Sequence, residues 1–426
     1  AGDEGVVEMI SNNKAYRMLV GKARKYECEL SGKIQKAVDA SDLDRAAKLL
    51  MRYLSSFYCK LIALEKAYKK MRRRNRPKVT DPESLAKNLD AIAGSKEVAK
   101  ILMMPREDHP DHPRPVWAFG IEQRALQQLV AGALGPFAKL ADNQFLMDGG
   151  VQAAIKSVLQ FLAEGYTAVV EVDIKSCYSS YNGEEIHKLF PYLPEAVVKK
   201  VILSKYLPIS LQCSGLTIDT AELQGEDGVA PDTFSEVLAE AQLGIPQGSS
   251  VSPLVSDMLL ATALNTLSLP AEIRLVVYAD NFLILAKSEE AAATAAHAVG
   301  TVLLDHPAGP LSSKVLHDGW ASEGFTYLGH TFKFSGTTYY VEPSAKNRQK
   351  FQREYEKRLK EAMNDAQSIK KQRYAIARLE RLVRSWAAAF RLWDGVDEWR
   401  LERLTYVRSL KKKIQSKAPI IPSATE

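Results

Sequence analysis

The chain has 426 residues, 46% of them hydrophobic and 25% charged, with a net charge of +6. That is enough apolar side chain for a sizeable core and enough length for roughly two to four folding units. Its apolar runs break at charges well short of the about 20 residues a membrane helix needs, and no basic stretch followed by an apolar core opens it. A membrane span is therefore excluded and a cytoplasmic protein is expected. Cys28, Cys59, Cys177 and Cys213 show no CxxC or Cys/His spacing, so reduced thiols are expected rather than a zinc site or a disulfide framework.

In chain order, Glu4 to Val38 reads as largely helical. Ser41 with Asp44 has the form of a capping box, and apolar residues follow at Leu43, Ala47, Leu50, Leu54, Phe57, Leu61, Leu64 and Tyr68. Their recurrence at three and four predicts one long amphipathic helix whose stripe is core or subunit contact. It ends near a basic cluster of Lys69, Lys70, Arg72, Arg73, Arg74, Arg76 and Lys78, where Asn75 and Pro77 break the periodicity. Residues 1–78 thus read as a helical extension, open to packing on the rest of the chain, to binding RNA, or to attaching a second copy or a partner protein. From 79 to 165 the chain is mixed, with a proline-rich loop at Pro105 to Pro115, a short strand at Val116 to Phe119 and a helix from about Glu122. His109 and His112 in that loop have no Cys partner and are not expected to hold a metal.

From Tyr166 the segments are β-rich, at Ala168 to Asp173, Arg274 to Tyr278, Phe282 to Leu285, Phe325 to Phe332 and Tyr339 to Val341. Helices separate the first two, and Gln224 to Asp232 reads as an exposed connection. After Pro343 the chain is helical, with Trp386, Phe390, Trp393 and Trp399 among many basic residues; Trp386 and Phe390 are read as packing. Val341 to Glu426 carries 21 Lys and Arg against 11 Asp and Glu, a net of +10, while the rest of the chain carries a net of −4. Basic charge gathered in this way is the footprint of a phosphate backbone, or else a solvated helix face.

Three segments carry chemistry. Val169 to Lys175 is a β-branched run that places Asp173 at the tip of a buried strand. Leu275 to Leu285 reads as a hairpin with Asp280 at its apex. Convergent aspartates of this kind supply hard oxygen ligands for a pair of Mg²⁺ ions, whereas each alone serves equally well as a turn cap. Between them, Leu243 to Leu254 sets glycines and prolines ahead of a helix, so that backbone can approach a nucleotide or template base and Gln247 can hydrogen-bond it.

In this order the three segments resemble the palm of reverse transcriptases, and the likeness extends over roughly Arg114 to Lys413. Arg114-Pro115-Val116-Trp117-Ala118-Phe119, with Glu122 to Gln128, is similar to the fingers motif of the bacterial group II intron and retron-like enzymes. Asn143-Gln144-Phe145 and Gly149 to Ile155 are similar to the next fingers block. Asp173 to Tyr178, Gly244 to Pro253, Tyr278 to Asn281 and Ser312 to Val315 resemble motifs A, B, C and D, and Phe325 to His330 the primer grip. The resemblance implies an α+β right-hand polymerase with a helical extension (1–78), fingers (79–165), an antiparallel-sheet palm (166–342) and a basic helical thumb (343–426).

Roles follow by position. The resemblance makes Asp173, Asp280 and the Ile174 carbonyl ligands of two Mg²⁺ ions. It sets Tyr178 against a 2′-hydroxyl, the alternative being a core tyrosine, and Arg114 on the triphosphate beside Gln247 and Gly248, the alternative being a surface charge. It makes Lys314 a proton donor to pyrophosphate, or else a solvated lysine, and Tyr327, Leu328 and Gly329 the primer grip. The implied partners are an RNA template, a DNA product and dNTPs.

One departure stands out. The family's motif C carries two adjacent aspartates and this chain has Asp280-Asn281. Asn281 keeps a carbonyl oxygen for a cation but removes a negative charge, so metal-sensitive synthesis that favours Mn²⁺ is expected. The compact form most resembles defence-associated bacterial enzymes, which implies an anti-phage role and a dedicated noncoding RNA. Two rivals are template-independent or restricted-sequence DNA synthesis by the same palm, and an RNA-binding scaffold weakened at Asn281.

Overall fold

The structure, a computed structural model, describes residues 14–72, 75–105, 113–210, 231–364 and 366–416, without the side chains of 210 and 231–235. His109, His112, Cys213, Arg73, Arg74 and residues 224–230 of the expected connection lie outside the described residues. The chain divides into two compact units, each drawn from three stretches of sequence. The first takes the described residues of Ala1–Met147, Asp173–Ser268 and His297–Lys314. The second takes those of Asp148–Val172, Leu269–Ala296 and Val315–Glu426.

The first unit opens with α1 (Lys14–Asp39), α2 (Leu43–Ser55) and α3 (Phe57–Lys70). The single long helix expected from Ser41 onward is broken at Ser56, whose extended backbone (φ −66°, ψ 126°) ends one helix and starts the next. Burial gives the reason, because α3 is covered continuously from Leu61 to Glu65, which one amphipathic stripe cannot provide. The N-cap also moves by one residue. Ser41 has φ +57°, and the Asp42 carboxylate accepts from the Arg45 N–H at 3.1 Å. Glu27 joins the three helices by accepting from Tyr53 Oη (2.8 Å) and Lys66 Nζ (2.7 Å).

Next come α4 (Pro82–Asn88), β1 (Ala99–Met104), β2 (Arg114–Ala118) and α5 (Ile121–Leu134), with α5 packed on α3. β1 pairs antiparallel with β2 in the register Met104↔Arg114 to Lys100↔Ala118. The second unit contributes α6 (Gly150–Ala163) and most of β3 (Ala168–Ile174). The chain then returns through α7 (Cys177–Ser180), α8 (Gly183–Leu189), α9 (Glu195–Val197) with a π-helical turn to Ile202, and β4 (Ile209–Ser210). β4 lies parallel to β1. α10 (Pro231–Ala241) and α11 (Ser252–Leu264) follow.

β5 (Ile273–Tyr278) and β6 (Asn281–Ala286) form the expected hairpin, and α12 (Glu289–Leu304) and β7 (Ser313–Trp320) come next. The sheet order is β5-β6-β3-β7, with β3 interior and buried at every position except Asp173. The strand expected over Phe325 to Phe332 is two, β8 (Phe325–Tyr327) and β9 (His330–Phe334), which form a second sheet with β10 (Tyr339–Pro343). Leu328 (φ +47°) and Gly329 (φ +78°) make the two-residue turn between them.

Three helices end the described residues, α13 (Ala345–Met363), α14 (Ile369–Ala389) and α15 (Val396–Ser416), around a core that includes Phe351, Leu379, Val383 and Val407. The aromatic residues pack on one another, as in Trp386 against Trp399 with ring centroids 4.3 Å apart. Part of the basic charge is paired within these helices, for example Arg358 with Glu354 and Arg384 with Glu380.

Candidate active site

In the first unit the site is built around the exit of β3. Asp173 is 24% exposed, and Lys314 Nζ lies 3.7 Å from its Oδ2. That separation is long for a hydrogen bond, and the two groups are open to solvent, so this is a loose ion pair. The pair is held by backbone, because the Lys175 N–H donates to the Ser312 carbonyl at 2.8 Å. Ser176 then takes a left-handed conformation (φ 47°, ψ 43°) and turns the chain into α7, which carries the half-buried Tyr178. Ile174 is buried.

The loop ahead of α11 is clamped from three sides. The Ile245 N–H donates to the Tyr178 carbonyl (3.0 Å), the Trp117 N–H of β2 to the Gln247 carbonyl (2.7 Å), and the Ser250 N–H to the buried Gln127 Oε1 (3.1 Å). Two glycines make the approach feasible. Gly244 (φ +52°) and Gly248 (φ +110°) leave no room for a Cβ, which would collide with the carbonyl oxygens of Tyr178 and Trp117 respectively. Gln247 is half-buried, and Arg114, three residues before Trp117 on β2, is exposed. The first unit therefore joins the Asp173 strand end, Tyr178, the Gly244 to Pro253 loop, the strand of Arg114, and Lys314.

The second unit holds the other acid. β5 ends at Tyr278, which pairs with Asn281, so that Ala279 and Asp280 alone make the turn. Ala279 sits at φ +54°, in the left-handed region usually left to glycine. Asn281 Nδ2 donates to Glu171 Oε1 of β3 at 2.5 Å. A carboxylate can only accept here, so the amide nitrogen faces Glu171 and Oδ1 is turned elsewhere, where it is buried without a hydrogen-bond partner.

Tyr327 of the expected primer grip is 1% exposed, with its hydroxyl 3.4 Å from the Val276 carbonyl. Burial first, then the Glu171 charge, pushes its phenol well above the usual range. Leu328 and Gly329 form the turn beyond it, tied to α13 by donation from Ser344 N and Asn347 Nδ2 to the Gly329 carbonyl, each at 3.0 Å.

Among the described residues no group of three His, Cys, Asp or Glu side chains gathers as a metal site. The donors at hand are hard oxygens, the Asp173 carboxylate and Ile174 carbonyl in the first unit and the Asp280 carboxylate and orphaned Asn281 Oδ1 in the second. Such donors fit Mg²⁺, which is commonly held by one or two carboxylates and completes its shell with substrate phosphates and water. Sequence reasoning passed over Glu171 and Gln127. The signal for Glu171 was present, as one acid inside an otherwise apolar strand.

A strand that ends in an acid, a glycine- and proline-shaped loop leading into a helix, and a hairpin with an acid at its turn define a polymerase palm. Residues 104–332, more than half of the chain, match the model of the reverse transcriptase (RNA-dependent DNA polymerase) family, and the chain belongs to that family. Its members are nucleotidyltransferases with the α+β right-hand fold. No curated protein matches the sequence.

Similar solved structures include apo telomerase from Candida Tropicalis truncated from its C-terminal domain, 14% identical over 58% of this chain and 55% of that one, with a TM-score of 0.33. Telomerase from Candida albicans with a TWJ fragment of telomeric RNA is 10% identical over 76% and 65%, with a TM-score of 0.35. The RNA-dependent RNA polymerase from bacteriophage phi12 is 12% identical over 88% and 62%, with a TM-score of 0.38. The chain thus spans 55% to 65% of these structures' own lengths. Among the described residues no helix is long and apolar enough to cross a membrane.

Proposed function

We propose that the chain is an RNA-directed DNA polymerase that serves bacterial anti-phage defence with a dedicated noncoding RNA. The observation that carries the polymerase reading is the clamped Gly244 to Pro253 loop, held between the strand of Arg114 and the helix of Tyr178, in a chain of this family. Asp173 and Asp280 are the metal-binding carboxylates in this reading, with the Ile174 carbonyl beside the first. When bound, two Mg²⁺ ions activate the primer 3′-hydroxyl and neutralise the leaving pyrophosphate.

The remaining roles belong to the chain itself. Gln247 and the exposed Gly248 backbone meet the nucleotide and its template base, and Arg114 holds the triphosphate. Tyr178 selects against a 2′-hydroxyl. Lys314, already turned toward Asp173, donates a proton to the departing pyrophosphate.

Primer extension on an RNA template with all four dNTPs tests the reading, with sequencing of the product. Incorporation that follows the template in the unmodified chain and vanishes in Asp280→Ala is the expected result. A product of fixed sequence that ignores the template would point to restricted synthesis by the same palm, and no incorporation with Mg²⁺ or Mn²⁺ to an RNA-binding scaffold. Phage plaque counts on cells carrying the chain or Asp280→Ala test the defence role, which fails if the two protect equally.

A further inference from the structure

The motif C turn ends in a neutral residue where two divalent cations need charge beside them, and the structure sets an acid against that residue from the neighbouring strand. Glu171 is only 8% exposed, lies inside β3, and accepts from Asn281 Nδ2 at 2.5 Å. Burying a carboxylate within a strand whose neighbouring positions are also buried is costly unless its charge is used. Asn281 Oδ1 is the other notable feature, since a buried acceptor with no partner is costly unless a ligand takes it up.

One arrangement accounts for both. Accepting from Nδ2, Glu171 Oε1 fixes the amide so that its nitrogen points at β3, which leaves Oδ1, next in the chain to Asp280, with its lone pairs to give. The same hydrogen bond draws positive charge toward the nitrogen and makes Oδ1 a stronger donor, as carboxylates do for metal-bound histidines.

We propose that Glu171 is a positioning residue for the metal site of the Asp280 turn: it orients Asn281 so that Oδ1 is the ligand, and it supplies, one hydrogen bond removed, the negative charge that position 281 lacks. The inference rests on reading that turn as metal-binding. It also reverses an intuitive repair. Asn281→Asp adds no useful charge here, because it sets two carboxylates in contact, and such a pair cannot readily hold both charges.

The test is a variant set on the full chain, read by Mn²⁺ titration with electron paramagnetic resonance and by Tm in metal-free buffer. Glu171→Gln keeps the shape and loses the charge, and is expected to weaken Mn²⁺ binding about tenfold or more. Glu171→Asp keeps the charge and is expected to bind more tightly than Glu171→Gln. Asn281→Asp is expected to lower Tm, because it sets a second carboxylate against Glu171. The double variant Glu171→Gln/Asn281→Asp, with one carboxylate again, is expected to recover both Tm and Mn²⁺ binding.

Wild-type Mn²⁺ binding in Glu171→Gln would overturn the inference, as would tighter binding in Asn281→Asp without loss of Tm. Asp280→Ala separates this from the underlying reading. If it abolishes Mn²⁺ binding while Glu171→Gln leaves it intact, only the role of Glu171 falls. If it leaves Mn²⁺ binding unchanged, the turn holds no metal and both fall.

Discussion

Asp257 offers a measurement of how tightly the first unit is built around its loop. It lies on α11, the helix that follows the Gly244 to Pro253 loop, and is 1% exposed. Neither carboxylate oxygen closes a well-formed hydrogen bond, although the residue's own carbonyl accepts from Gln144 Nε2 at 2.9 Å. Burial pushes its carboxyl from the ordinary 3.8 up to about 7, and the nearby Met147 backbone amide opposes this only in part.

The sign follows from which state keeps the proton. Below pH 3.8 both folded and unfolded chains are protonated there, and the group is neutral in its effect on stability. Between 3.8 and about 7 the unfolded chain loses the proton while the folded one retains it, so this group's contribution falls as pH rises. Above about 7 both are ionised, and the full penalty, about 4 kcal/mol, is constant. Asp257→Asn removes the titration. Urea unfolding should therefore show the variant more stable than the parent at pH 8, with the gap shrinking by about 3 kcal/mol on going to pH 5. A gap that does not change with pH would refute the reasoning, because a packing effect of Asn has no reason to titrate.

Further expectations concern the site and its supports. Gly248→Ala forces a Cβ onto the Trp117 carbonyl from a left-handed backbone, so it should lower stability by about 1–3 kcal/mol and reduce primer extension. Denaturant unfolding and single-nucleotide incorporation measure the two effects. Lys314→Ala removes a solvent-open partner of Asp173 and should cost no more than about 1 kcal/mol of stability, yet slow single-turnover addition about a hundredfold. Asp42→Ala deletes the cap of α2 and should cost about 1 kcal/mol in thermal or urea unfolding, whereas Ser41→Ala should not.

The sequence made the strands that carry the acids legible because β3, β5 and β6 are nearly continuous apolar runs bounded by polar turns. It also fixed the loop, whose glycines occur where backbone must meet backbone. The break at Ser56 was not legible. The three-and-four periodicity runs straight across it, and only the burial of α3 over Leu61 to Glu65 shows why one helix cannot serve. The turn at Leu328 and Gly329 was signalled by its glycine, yet the apolar residues on both sides read as one strand. Contacts such as Trp117 N–H to the Gln247 carbonyl join residues far apart in the chain, and no local spacing announces them.

Glu171 shows what such distance does to a functional reading. On the sequence alone, Asn281 is a lost charge, and returning the aspartate is the obvious repair. Strand order changes the sign of that expectation, because β6 lies beside β3 and brings the Asn281 amide against a carboxylate 110 residues earlier. A substitution within a motif and an acid buried across the sheet then form one electrostatic unit. Changing either member alone is predicted to do more harm than exchanging both, and an additive result in the double variant would leave Asn281 as the simple loss it first resembled.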